Sequence, residues 1–100
     1  MNIIHISDEA VDDLNQAHSF YEKQELGLGA YFLSQISADI DGLKITGGIH
    51  RKTYKNIHRV LSKKFPYSIF YLYSNSHVLV IAITDNRRNP QWIKQHLGIK

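Results

Sequence analysis

The chain has 100 residues, 43% of them hydrophobic, enough for one core in a single domain over residues 1–100 and too few for two. It has no cysteine, which excludes disulfides and thiolate metal sites and fits a reducing compartment. The longest apolar run, Val78 to Ile83, falls far short of the ~20 residues that span a bilayer, and no basic-then-apolar export signal opens the sequence. A cytoplasmic protein with no membrane partner is therefore expected.

The net charge of +3 hides a split between the two halves. Residues 1–50 carry two lysines against eight acids, net −6, and residues 51–100 carry ten lysines and arginines against Asp85 alone, net +9. Such a division predicts a face directed at a polyanion or an acidic partner. The alternative is that the halves neutralise each other across the fold.

In chain order, Ile3, Ile4 and Ile6 precede Ser7 and Asp8, which predicts a short first strand over 2–6 stopping at a helix cap. Ala10, Val11, Leu14, Ala17, His18 and Tyr21 then share one helical face, while Asp12, Asp13, Gln16 and Lys23 occupy the other. Asp8 and Glu9 stand at the positive end of that helix. Leu26-Gly27-Leu28-Gly29 interrupts it, and Phe32, Ile36, Ile40 and Leu43 continue at helical spacing until Gly47-Gly48. Two helices joined by so short a turn should pack as an antiparallel hairpin.

The period then changes. Segments 54–62, 67–73 and 77–84 are rich in aromatic and β-branched residues and are separated by hairpin-length loops, so a three-stranded antiparallel meander is expected. Asn89-Pro90 pairs a capping side chain with a residue suited to a first helical turn, opening a short last helix that Gly98 would end. The predicted class is α+β: one strand, a helical hairpin, a meander and a short C-terminal helix. Within the middle strand of the meander, Phe65, Tyr67, Ile69, Tyr71 and Tyr73 fall on one side, and Phe70 and Leu72 on the other. The tyrosine side is expected to be the open one, flanked by Arg59, Lys63, Lys64, Arg87 and Arg88, a surface suited to nucleic acid or an acidic protein. The competing expectation is that Tyr67 and Tyr73 pack into the core.

Three stretches in register carry a resemblance. Phe20-Tyr21-Glu22-Lys23-Gln24 followed by Leu26-Gly27-Leu28-Gly29 and Phe32 resembles the opening helices of ParE-like plasmid-stabilisation proteins of the RelE/ParE toxin superfamily. The stretch from Lys63 to Tyr71 resembles their basic, Phe-Pro-Tyr central strand, and Arg87-Arg88-Asn89-Pro90-Gln91-Trp92 resembles their closing motif. The resemblance implies the family fold, a growth-inhibiting toxin, and a cognate antitoxin encoded by an adjacent gene. It also implies one of two targets, DNA gyrase or messenger RNA on the ribosome; the remaining alternative is a chain that has lost toxicity and survives only as an antitoxin-binding remnant.

Ribonuclease members of the superfamily carry a Tyr-Arg pair at the start of the central strand, where this sequence has Tyr67-Ser68. Cutting RNA demands cations on the developing phosphorane charge together with a general acid and base, so the missing arginine counts against it. Trp92 lies near the place of a family tyrosine, and an indole transfers no proton. Were the chain a ribonuclease, Arg59, Arg87 and His58 would be its candidate catalytic residues. The expected target-binding set is Arg59, Lys63, Lys64, Tyr67, Tyr71, Arg87, Arg88 and Trp92. Six histidines show no His-x-x-x-His spacing, and no phosphate-binding or dinucleotide motif occurs, so neither a metal nor a cofactor is expected.

Overall fold

The structure, a computed structural model, describes residues 1–99. Strand β1 (Ile3–Ile6) ends at Ser7, whose extended backbone and side-chain oxygen, accepting from the Ala10 amide at 3.1 Å, start helix α1 (Asp8–Gln24). The cap satisfies one of the amides that a first turn leaves without a partner. Gly27, at φ 88°, turns the chain into helix α2 (Leu28–Asp41). The Glu22 carboxylate accepts from the amides of Gly27 at 2.9 Å and Gly29 at 3.0 Å, pinning the turn to α1. A β-carbon at Gly29 would lie 2.6 Å from the His18 carbonyl oxygen, so glycine is what lets the two helices touch there.

Those two amide bonds hold the Glu22 carboxyl below its ordinary value of 4.5. A depressed carboxylate contributes stability that is complete above its unfolded-state pKa and lost as pH falls through the folded one. Glu22→Gln is therefore expected to flatten the stability profile below about pH 4.5 while leaving the profile above pH 6 parallel to that of the unsubstituted chain. Urea midpoints measured from pH 3 to 7 check this.

The second helix is shorter than its periodicity suggests. It stops at Asp41, and Leu43–Thr46 form a separate turn of helix, α3, after Gly42. The expected strand over 54–62 is also divided, into β2 (Lys52–Tyr54) and β3 (Ile57–Leu61), by a turn in which Lys55 adopts φ 47°. Strands β4 (Tyr67–Ser74) and β5 (His77–Asp85) follow, and α4 (Pro90–His96) closes the chain. Asn89 caps α4 by accepting from the Gln91 amide at 2.7 Å, with Pro90 in the first turn and Gly98 beyond the end at φ 77°. The α+β class, the hairpin, the meander and the final helix are as expected; the sheet has five strands.

The sheet order is β1-β5-β4-β3-β2, antiparallel except that β1 lies parallel to β5. Phe70 pairs with Ala82 and Tyr71 with Val80, so Ile81 is the extra residue of a bulge in β5. On one face Tyr67, Ile69, Tyr71, Val78, Val80 and Ile83 form the main core with Ala10, Ala17, Tyr21, Phe32, Ile36 and Ile40 of the hairpin. On the other, Ile93 of α4 packs over Ile57, Phe70 and Ala82.

The expectation of an open tyrosine face is therefore corrected. Tyr67 and Tyr71 are 7% and 0% exposed and lie under the helices, whereas the set containing Phe70 faces α4. The reason is packing together with partners for the hydroxyls. Phe32 stands 4.9 Å from the Tyr67 ring, and the Tyr71 hydroxyl accepts from the Gly48 amide at 3.0 Å and meets His50 Nδ1 at 2.6 Å. A tyrosine with its hydroxyl satisfied contributes its whole ring to a core. No helix among the described residues is long and apolar enough to cross a membrane.

Candidate functional site

Strand β3 carries the first part of the site. Its register sets Arg59 opposite Phe70, on the α4 face, with the guanidinium 5.7 Å from the Phe70 ring centre. Arg59 Nε donates to Ser68 Oγ at 2.7 Å and Nη2 to Asn86 Oδ1 at 3.1 Å, while the Ser68 hydroxyl also meets Asn86 Oδ1. The position that matches an arginine in ribonucleases of the RelE/ParE superfamily, which the sequence resembles, thus holds a buried serine that fixes the arginine of the neighbouring strand. Beside Arg59, a groove of about 440 Å³ is lined by Arg51, Lys52, Thr53 and Leu61. Among the described residues none of its three cations is ion-paired, so the groove presents a concentrated positive field.

The second part is a cleft of about 440 Å³ between α1, the end of β5 and the start of α4, with Asp13, Phe20, Tyr67, Thr84, Arg88 and Trp92 in its walls. It exists because β1 pairs with β5 only as far as Val80, leaving the rest of β5 without a strand on that side. Asp13 covers part of the bare edge. Its Oδ2 accepts from the Ile83 amide at 2.9 Å and its Oδ1 lies 2.8 Å from His96 Nε2. Burial pushes the Asp13 carboxyl above its ordinary value, against the opposing pull of the Ile83 amide and His96. His96 stacks on Trp92 at 4.7 Å, and the Arg88 guanidinium also lies over Trp92, 4.2 Å from its ring centre. The Thr84 hydroxyl is buried without a protein partner.

Arg87 is occupied differently. Its Nε and Nη2 donate to the two Asp85 oxygens at 2.9 and 2.6 Å, and its amide donates to Oδ1 at 2.8 Å. These hydrogen bonds hold Asp85 below the usual carboxylate range and raise Arg87 further, so the pair stays ionised.

The expected site residues are thus distributed rather than gathered. Arg88, Trp92 and the edge of Tyr67 meet in the cleft, Arg59 lies in the groove, and Arg87 is paired with Asp85. Lys63 and Lys64 sit exposed in the β3–β4 turn, where Asp39 Oδ2 accepts from Ser62 Oγ at 2.7 Å. Tyr71 is interior. His58 is 5% exposed, its Nδ1 lies 2.6 Å from the His50 carbonyl, and its ring stacks on Tyr71 on the face away from Arg59. That placement separates it from the cation it would have to assist.

Arg51 and Lys52 were marked in the sequence only by the basic half as a whole. Asp13 and His96 carry no local signal, being 83 positions apart. Among the described residues no lysine or arginine of the second half forms an ion pair with an acid of the first, and the pair that joins the halves is His96 with Asp13. Nor does any group of three or more histidines and carboxylates gather there.

A scan against protein-family models and a search of curated proteins return no match to this sequence. Among solved structures, a chain of one described as "Chromosomal ParDE TA system from P. aeruginosa" superposes with a TM-score of 0.75 over 85% of this chain and 96% of that one. The two are 12% identical in sequence. This chain therefore shares its fold with a component of a toxin–antitoxin system, and the ParE-like fold expected from the resemblance is the one observed.

Proposed function

We propose that the chain is the toxin of a type II toxin–antitoxin system. It works in the cytoplasm by binding a macromolecular target, is neutralised by an antitoxin encoded beside it, and has DNA gyrase as the first target to test. The fold shared with the ParDE chain supports the general reading. The observation that carries the mode of action is the Arg59–Ser68–Asn86 cluster. A guanidinium held by a serine and an asparagine has charge and shape to offer a partner, but no histidine or carboxylate is bonded to it to move the protons that cutting a phosphodiester requires. Binding needs only complementarity.

A second reading, a ribosome-dependent endoribonuclease, is favoured by one observation. The His96–Asp13 pair adjoins Trp92 and Arg88, bringing an imidazole and a cation into one neighbourhood. The experiment induces the protein, maps transcript 5′ ends, and assays supercoiling by purified gyrase in parallel. Lost supercoiling with intact transcripts is the expected result. New ends within translated codons, abolished by His96→Ala or Arg87→Ala, would establish the ribonuclease instead. Co-expression with the adjacent small gene should restore growth, and failure of its product to bind would remove the antitoxin pairing.

A further inference from the structure

The face of the sheet that α4 leaves uncovered holds a feature unconnected with either part of the site. Ile4 of β1 and Val78 and Val80 of β5 point into the main core, so Ile3, His5, His77 and Leu79 point to the opposite face. The parallel register pairs Ile3 with His77 and His5 with Leu79, which makes the two histidines diagonal neighbours on adjacent strands. Their rings lie nearly parallel, 11° apart, and His5 Nε2 is 3.1 Å from His77 Nδ1. Both side chains are in the exposed class and neither bonds a carboxylate.

We propose that His5 and His77 form half of a zinc site, completed by the same pair from a second copy of the chain. Zinc binds histidine nitrogen at about 2.0–2.1 Å with tetrahedral angles, which places two ligand nitrogens about 3.4 Å apart. The observed separation is within a few tenths of an ångström of this, and the two nearly parallel rings must also turn about their side-chain bonds so that both lone pairs converge on one ion, a motion open to exposed side chains. In the free pair one of the two facing nitrogens carries its ring's proton and donates it to the other; on zinc binding that ring changes tautomer, its proton moving to its outer nitrogen, so that both rings stay neutral and both facing nitrogens present lone pairs to the metal.

Two ligands leave a tetrahedral ion half satisfied, and no third histidine or carboxylate of the described chain joins them. The second copy follows from the surroundings. Ile3 is 53% exposed and Leu79 37% exposed, on the same face and flanking the histidines. A two-fold arrangement that brings two such pairs around one ion also buries these apolar side chains against their equivalents, and an isologous contact of this kind is closed. The site is independent of the toxin reading.

The test uses the purified full chain, freed of metal and titrated with zinc chloride in a non-chelating buffer, following heat by calorimetry and mass by sedimentation. Half an equivalent of zinc per chain and a shift from monomer to dimer are expected. His5→Ala and His77→Ala should each weaken zinc binding by at least about tenfold, the scale on which even second-shell losses act at metal sites. Both should abolish the zinc-dependent dimer while leaving the circular dichroism spectrum unchanged. Zinc binding that survives both substitutions, or none below millimolar zinc, overturns the site. One equivalent per chain without a dimer overturns its completion by a second copy.

Discussion

Phe32→Ala is expected to cost about 3–5 kcal/mol of stability, the range for truncating a buried phenylalanine. Phe32 is 0% exposed and sits where α2 meets both α1 and the sheet. Its ring centre lies 5.1 Å from that of Tyr21, and 4.9 Å from those of Phe65 and Tyr67. Three aromatic rings, from α1, the β3–β4 turn and β4, therefore line the cavity that alanine would leave, and they are too large to close it by changing rotamer. A domain of this size has a total stability of about 5–15 kcal/mol, so the loss is a large share of the whole. Urea denaturation should show a much lower midpoint with an unchanged slope. A loss under about 1 kcal/mol would mean that the surrounding rings collapse into the space, against close packing around Phe32.

The hairpin and the final helix were legible because their signals are local: apolar spacing of three and four, a glycine turn, and Ser7 and Asn89 where caps belong. The break between β2 and β3 was not, because Lys55 takes a left-handed conformation that nothing in a lysine announces. The parallel place of β1 beside β5 depends on a four-residue strand whose partner lies more than seventy positions away. Alternation along β4 sorted its side chains correctly into two sets but does not say which set faces the helices. That was decided by Tyr21 and Phe32 against Tyr67, and by Gly48 and His50 reaching the Tyr71 hydroxyl.

The same distinction governs the site. Ser68 and Trp92 could be recognised as departures from a family pattern, because that comparison needs only position along the chain. The embrace of Arg59 by Ser68 and Asn86 needs strand register, and the His96–Asp13 contact needs α4 to cross back to α1. A sequence shows which cations are present; the fold shows which of them are already engaged.

That difference separates two arginines of the expected target-binding set. Arg59→Ala removes two hydrogen bonds from a charged donor in a half-buried setting, and such bonds contribute about 1.5–3 kcal/mol each at most, with Ser68 and Asn86 left to satisfy one another. The melting temperature should therefore fall by several degrees, and any loss of toxicity will be mixed with loss of folded protein. Arg88→Ala removes an exposed side chain whose contact is the Trp92 ring, worth about 0.5–1 kcal/mol at such sites. Its melting temperature should stay nearly unchanged, while the growth inhibition expected of the proposed toxin drops sharply, since the cleft loses its cation. Both variants should be assayed at matched soluble levels, by growth after induction and by thermal unfolding. Undiminished toxicity of Arg88→Ala, with an unchanged melting temperature, would take the cleft out of target binding and leave the groove of Arg51, Lys52 and Arg59 as the surface that meets the target.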